Sequence, residues 1–401
     1  MKAMASKAIH VAYARHHDPA SAIAECIAAL GRIEPVLLLV FCGGKHDPSV
    51  VLGALRAAYG PIPITGGSAA GAIADGKLGY SGLEIAIAAF EASDVVPRVH
   101  VNYDLLEGEA RAGEALARDI AASAEDGSVA LLLFDSVATN SPLLLHPASA
   151  IVDGFQAGLG QRRITLIGGG LLTDMNLSDG WVFDGESVRR HAAIILVFPP
   201  AVRADTVVLH GCRPISTFME ITRIDGAVVY ELDGEPALEV IERMLGLRLE
   251  NGLSLTATLG EKQGDPFAPY DENAYVNRLI LGSNREAGSI ILFEPDFRVG
   301  TKVQIMSRDN ALMLDSARNG TAMIPARKLG REPFLGIYID CAGRASGLSG
   351  AEIEEAALVQ RNFAPSVPLL GFYSGVEVAP FDGYSRPLDW TGVLTVLGRQ
   401  S

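Results

Sequence analysis

The stretch ITLIGGG, Ile164 to Gly170, is an apolar strand pattern that runs straight into three glycines, and two variants of it occur elsewhere: IPITGGS (Ile62 to Ser68) and VPLLGFYSG (Val367 to Gly375). Each copy has an apolar strand upstream, VLLLVF (Val36 to Phe41), VALLLF (Val129 to Phe134) and FLGIYID (Phe334 to Asp340). Each has another downstream, LEIAIAAF (Leu83 to Phe90), AAIILVF (Ala192 to Phe198) and TGVLTVLG (Thr391 to Gly398). The chain therefore reads as copies of one module: strand, helix, strand, glycine turn, strand.

The connections carry helix signals. Asp18 and Pro19 open a first helix that Gly31 ends, and Asp47 and Pro48 open the crossover from VLLLVF to IPITGGS. The second crossover runs from Pro147 to Leu159, and the third is read as a capping box of Ser349 and Glu352 before Ile353. A strand joined to the next by a helix implies parallel pairing. The strands are apolar on both faces, as in covered sheets. The expected fold class is α/β, a layered structure of two related halves with mixed, largely parallel sheets. A TIM barrel is the weaker alternative, because strand pairs without helices interrupt its alternation.

Near Gly226 to Pro236 the pattern changes to strand, Asp233-Gly234 turn and a helix from Pro236 to Gly246, which puts a domain boundary near 232. Residues 1–33 are read as a strand and helix packing on the first half, 34–232 as the N-terminal domain and 233–401 as the C-terminal domain. Asn251 to Asn273 reads as an irregular connection and Asn277 to Met306 as an antiparallel meander.

Of 401 residues, 33 are Lys or Arg and 47 Asp or Glu, a formal charge of −14 with no basic cluster, which argues against a nucleic-acid partner. No apolar run reaches the ~18 residues of a membrane span. A cytoplasmic protein without membrane insertion is expected. The four cysteines (Cys26, Cys42, Cys212, Cys341) are far apart, as reduced buried thiols are.

The glycine turns could line a ligand crevice, since residues without Cβ let backbone N–H groups approach a polar guest; turn geometry alone is the simpler reading. P-loop and Rossmann fingerprints are absent: Ala72 and Ile73 follow Gly71, and no G-x-G-x-x-G opens a helix. Arg344 and Glu377 follow the ends of neighbouring parallel strands, where α/β crevices form. They could clamp the carboxylate and ammonium of an amino-acid-like ligand, or pair with each other as structure. Asp174 is a candidate contact or a turn-stabilising side chain. His191 and His210 flank apolar strands and are candidates for a haem axial ligand, with His146 third. Cys341 and Ser68 sit where a hydrolase nucleophile could stand, without a local His/Asp partner.

Several motifs in order resemble those of FIST-domain proteins. The N-terminal ones are Gly66, Gly67, Ser68 and Gly71; Gly168, Gly169, Gly170 and Asp174; His210, Gly211, Pro214, Ile215 and Thr222; and the helix start Leu232 to Ala237. The C-terminal ones are Cys341, Gly343 and Arg344, then Gly371, Phe372, Tyr373, Glu377 and Pro380. The family's usual glutamate after the first glycine turn is Ala72 here, and its histidine near the last strand is Asp389.

The resemblance implies a bacterial intracellular sensory module, non-catalytic, that binds a small ligand such as an amino acid. It would signal to a separate partner, a histidine kinase or a cyclic-di-GMP enzyme. Gly67, Ser68, Gly168, Gly169, Gly170, Asp174, Arg344, Tyr373 and Glu377 are the implied ligand contacts. A branch similar to this stand-alone form, the NosP proteins, senses nitric oxide through haem.

Overall fold

The computed structural model describes residues 8–249, 257–326, 331–381 and 383–400. Among them the three sequence copies become three repeats, each built on its own six-stranded mixed sheet. At the centre of each sheet lies one parallel pair: Pro35–Gly43 with Ile64–Ala69, Val129–Asp135 with Thr165–Leu171, and Arg331–Cys341 with Leu369–Ser374. Helices Pro48–Tyr59 and Ala148–Leu159 make the first two crossovers, while Ser346–Ser349 and Glu355–Asn362 make the third. Parallel pairing stays at these centres because only the crossovers return the chain in the same direction; the flanking strands arrive antiparallel.

The start signals act as read at Asp18 and Asp47, whose carboxylates accept the N–H groups of Ser21 and Ser49. The third differs. Gly350, left-handed at φ 70°, closes the helix Ser346–Ser349, and the next helix starts only at Glu355, so Ser349 and Glu352 form no capping box. That delay turns Glu355 inward, where it is fully buried.

Most glycines of the repeated motif are also not turns; only Gly375 stands in a bend, between Leu369–Ser374 and Glu377–Phe381. The others lie inside strands, at matched positions: Gly66 opposite Val40, Gly168 opposite Leu132 and Gly371 opposite Tyr338. A Cβ at any of the three would stand 2.0–2.2 Å from the carbonyl oxygen across the pair, so the close approach of these strands requires glycine.

After each glycine strand the chain leaves its own sheet. Gly71–Ala74 pairs with Leu369–Ser374 of the third repeat, Val182–Gly185 with Ile64–Ala69 of the first, and Glu377–Phe381 with Thr165–Leu171 of the second. The exchange is cyclic, every repeat completing another's sheet. Strand alternation then divides the apolar residues. Leu39, Phe41, Leu131, Leu133, Ile337 and Ile339 face a shared central core in which the Phe41 and Phe372 rings stack at 4.2 Å. The opposite faces are covered by helices, as for Leu38, Val40 and Cys42 in the first repeat and Leu132 and Phe134 in the second.

The third repeat carries an insertion between its first strand, Val202–Leu209, and its helix Asn310–Ala326. Strands from Arg213 to Ser307 form an eight-stranded antiparallel sheet, closed on itself because Lys302–Ser307 pairs with both Met219–Asp225 and Ala257–Lys262. Helix Ala237–Leu245 lays Leu238 and Ile241 into its core. The expected meander is thus part of a larger barrel. Part of the stretch read as irregular, Ala257–Lys262, is one of its strands, and residues 251–256 lie outside the described ones. The boundary placed at 232 falls between Val228–Leu232 and Glu235–Pro236, two strands paired with each other.

Candidate functional site

Of the residues singled out from the sequence, the glycines, Ser68, Arg344, Tyr373 and Glu377 are buried and closely packed, while Asp174 is half-buried. A Cβ on Gly67 would stand 2.3 Å from the Trp181 carbonyl oxygen, on Gly169 2.9 Å from Ile339 Cγ2, and on Gly170 2.0 Å from Ser136 Oγ. Ser68 is fully buried; its Oγ accepts from the Trp181 N–H at 3.1 Å. Asp174 caps its own turn, accepting from Asn176 N–H (2.8 Å) and Ser178 Oγ (2.8 Å). The Tyr373 hydroxyl donates to Glu354 at 2.7 Å.

Arg344 is also spent. It is fully buried and grips Glu355 with two parallel N–H···O bonds, Nε at 2.9 Å, while Nη1 donates to the carbonyls of Trp390 (3.0 Å) and His210 (3.1 Å). Its ion-pair partners are Glu355 and Asp340, not Glu377. Burial, then the Glu355 charge, pushes the Asp340 carboxyl well above the usual carboxylate range. Glu377 accepts from Ser374 Oγ and from Thr391 N–H (3.3 Å), and burial drives its carboxyl up as well. Burial thus disfavours the charged form of both carboxyls, and the two-bond Arg344–Glu355 fork is the best-formed charge pair of this centre.

Cys341 is not an activated nucleophile in this setting. Burial and the nearby Glu377 push the Cys341 thiol far up, the reverse of an activated thiolate.

The His210 arrangement does not fit haem. His210 is buried with both ring nitrogens engaged: Nδ1 accepts the Cys212 N–H (2.9 Å), so Nε2 carries the proton and donates to the Glu272 carbonyl (2.9 Å). His191 sits in a chain in which His146 Nδ1 donates to Glu109 (2.9 Å) and His146 Nε2 accepts from His191 Nδ1 (3.2 Å). That leaves a lone pair on His191 Nε2, but none of the four clefts described for this fold is lined by His191. Among the described residues no cluster of three or more His, Cys, Asp or Glu stands ready for a metal ion.

The largest of those clefts, about 470 Å³, opens where the inserted barrel meets the second and third repeats. Asp153 and Gln156, three apart on helix Ala148–Leu159, share one of its walls. The hairpin of the third repeat gives Phe381, Tyr384 and Arg386; the barrel gives Glu261, Gln263, Gly264, Asp296, Phe297, Arg298 and Thr301.

Its floor is a charge network. Arg278, fully buried on strand Tyr275–Asn284, forks onto Asp296 through Nε (2.6 Å) and Nη2 (2.5 Å), and Arg386 reaches Asp296 (2.9 Å) and Glu261 (3.2 Å). Burial works against the Asp296 charge, yet the Arg278 guanidinium, joined by Arg386, outweighs it and holds the carboxyl at about 2. Two residues earlier, the buried Glu294 accepts the Ala148 and Ser149 N–H groups (3.1 and 3.0 Å), a barrel carboxylate seated on the N-terminus of the cleft-wall helix. At the rim Arg298 is exposed, and among the described residues it enters no ion pair.

None of these lining residues was picked out from the sequence. They come from four stretches spread between Asp153 and Arg386, so no local spacing betrays them. One signal was legible: Asn277-Arg278 interrupts an apolar strand, and a charge there must find a buried partner.

A sheet-exchanging repeat body and a barrel thus meet around a cleft that displays both signs of charge. The chain belongs to the FIST family: the FIST N domain matches residues 36–235 and the FIST C domain residues 237–380. FIST domains are associated with sensory and signalling roles. The chain is 27 % identical over 274 residues to "Uncharacterized protein Rv0628c" of Mycobacterium tuberculosis, covering 65 % of this chain and 69 % of that one. It is 28 % identical over 271 residues to "Uncharacterized protein Mb0898c" of Mycobacterium bovis, covering 63 % of each. Among solved structures it is similar to cyanuric acid hydrolase from A. caulinodans at a TM-score of 0.32 and 10 % identity, over 98 % of this chain and 99 % of that one, a likeness too slight to argue from. No helix among the described residues is long and apolar enough to cross a membrane.

Proposed function

We propose that this protein is a cytoplasmic sensor that binds a small zwitterionic ligand, an amino acid or a close relative, in the junction cleft. The observation that carries the proposal is the unspent charge on that cleft: Arg298 at the rim and Asp153 on the facing helix, with Phe297, Phe381 and Tyr384 between them. Arg298 takes the ligand carboxylate, Asp153 its ammonium, and the aromatic side chains cover its apolar part. Arg278, Asp296 and Arg386 stay bound to one another as a rigid floor. The glycine residues and Arg344 shape the frame without touching the ligand.

A ligand held this way bridges the second repeat, the third repeat and the barrel. It favours whichever arrangement of the three it fits best, and that preference is what a separate signalling protein, a histidine kinase or a cyclic-di-GMP enzyme, would read. Titration calorimetry of the purified chain against the set of common amino acids tests the reading. At least one is expected to bind, and Arg298→Ala is expected to weaken it by about tenfold or more, the share of one charge-assisted hydrogen bond. Failure of every zwitterion to bind, or an Arg298→Ala variant with unchanged affinity, ends it.

A further inference from the structure

Buried polar groups in folded proteins are nearly always paired, so those that are not mark places that something else completes. Several lie together where the barrel packs on the third repeat. On strand Tyr275–Asn284 the residues Tyr275, Asn277 and Leu279 share one face. Tyr275 and Leu279 pack there with Trp390, Met306, Met313 and Cys212. Asn277 between them is fully buried, and neither Nδ2 nor Oδ1 of its side chain has a hydrogen-bond partner.

Asp389 lies against the same strand. Its N–H donates to the Asn277 carbonyl (3.4 Å) and its Oδ2 accepts the Leu279 N–H (3.0 Å), while Oδ1 is unpartnered. The next residue, Trp390, is fully buried with an unpartnered indole Nε1 and a left-handed backbone at φ 57°. Each such orphan is costly to keep buried, and left-handed backbone at a non-glycine residue adds strain that persists mainly at functional sites.

Room over the amide is under the control of a flexible side chain. Gly260 lies opposite Asn277 in register, and a Cβ there would stand 3.1 Å from Asn277 Oδ1 and 2.7 Å from Met306 Cγ. The unbranched Met306 chain thus covers the amide and can swing away at little cost.

We propose that Asn277, Asp389 and Trp390 form a second, internal ligand site, closed in this structure by Met306, for a small uncharged amide or lactam. Donors prevail: two N–H from Asn277 and one from Trp390 call for a carbonyl oxygen, while Asn277 Oδ1 calls for an N–H. Burial drives the Asp389 carboxyl up to about 8, so near neutrality it holds a proton and adds an O–H donor. An uncharged guest is favoured, because burial penalises a charge: Arg278 is committed to Asp296 and to the Pro387 carbonyl, and Arg308, 3.8 Å over the Trp390 ring, donates to Asn310 and to the Ser349 carbonyl. The apolar wall of Tyr275, Met306, Met313 and Leu279 suits the hydrocarbon part of a lactam. The site uses none of the residues that line the junction cleft, and the proposal stands whatever that cleft binds.

The chain has two tryptophans, so its indole N–H region in a proton–nitrogen correlation spectrum holds one probe at the site, Trp390, and one control, Trp181 in the first repeat's core. Titration with 2-pyrrolidinone is expected to shift the Trp390 resonance and leave Trp181 in place. Cyclopentanone, the same ring without the N–H, is expected to bind about tenfold more weakly. Asn277→Leu, which replaces the amide by an apolar group of similar size, is expected to keep the Trp181 signal and lose the response by about tenfold or more, and Asp389→Asn to keep part of it. The proposal is overturned by a Trp390 resonance that lactam does not move, by equal responses to lactam and ketone, or by an unchanged response in Asn277→Leu. A lactam-soaked crystal structure in which ordered waters alone complete the three groups overturns it too.

Discussion

Arg344 and Arg298 show what separates framework from site in this molecule. Both follow strands and both offer a guanidinium near carboxylates. Arg344 is fully buried, with Glu355 and two backbone carbonyls taking its donors. Arg298 stands at the rim of a cleft, exposed. A charge whose partners all come from its own chain is committed to holding the fold; one facing a cleft with its donors unspent is available to a guest.

The contrast is sharpest in stability. Arg344→Ala is expected to cost about 3–5 kcal/mol in urea unfolding, because it strands the buried Glu355 carboxyl, whereas Arg298→Ala should stay within about 0.5 kcal/mol of the parent. Similar losses for the two variants would erase the distinction. Glycines offer a second pair. Gly168→Ala, whose Cβ would stand 2.0 Å from the Leu132 carbonyl oxygen, is expected to destabilise by about 1–3 kcal/mol. Gly53→Ala on helix Pro48–Tyr59 has nothing within 4 Å and should stabilise by about 0.5–1 kcal/mol. If both are neutral, the strands do not approach as closely as described.

Two carboxyls at the barrel contact divide in pH. Asp296, held at about 2 against an ordinary 3.8, contributes stability that is full above 3.8 and lost as pH falls toward 2. Asp389, raised to about 8, does the reverse: its contribution is greatest below 3.8 and declines as pH climbs through about 8. Unfolding midpoints measured from about pH 5 to about pH 9 should therefore fall less for Asp389→Asn than for the parent. Asp296→Asn should lose stability at neutral pH and show a weaker acid transition. Parallel curves for Asp389→Asn and parent would mean that Asp389 is charged in the folded state.

Much of the frame was legible in the chain because its causes are local. Three strand-glycine copies gave three repeats, and Asp18-Pro19 and Asp47-Pro48 gave helix starts, since caps and periodicity act within a few residues. The glycines were misread as turns because a close strand approach and a tight turn leave the same mark on a sequence. The capping box at Ser349 and Glu352 failed to form because Gly350 closes one short helix there and the next begins only at Glu355. The barrel was read as a meander, for closure depends on one strand, Lys302–Ser307, finding partners on both sides. The cleft was invisible for the same reason at larger scale: Asp153, Glu261, Arg298 and Arg386 meet only after every sheet has formed.

The cyclic trade of strands has a consequence for how the molecule comes into being. Because Gly71–Ala74 is seated in the third repeat's sheet and Glu377–Phe381 in the second's, the earliest repeat to leave the ribosome has nowhere to put its own hairpin until the last has been made. Like three people each holding the next one's wrist, the units lock only when the circle is joined. Loss of any one grip should be felt as loosening of all three.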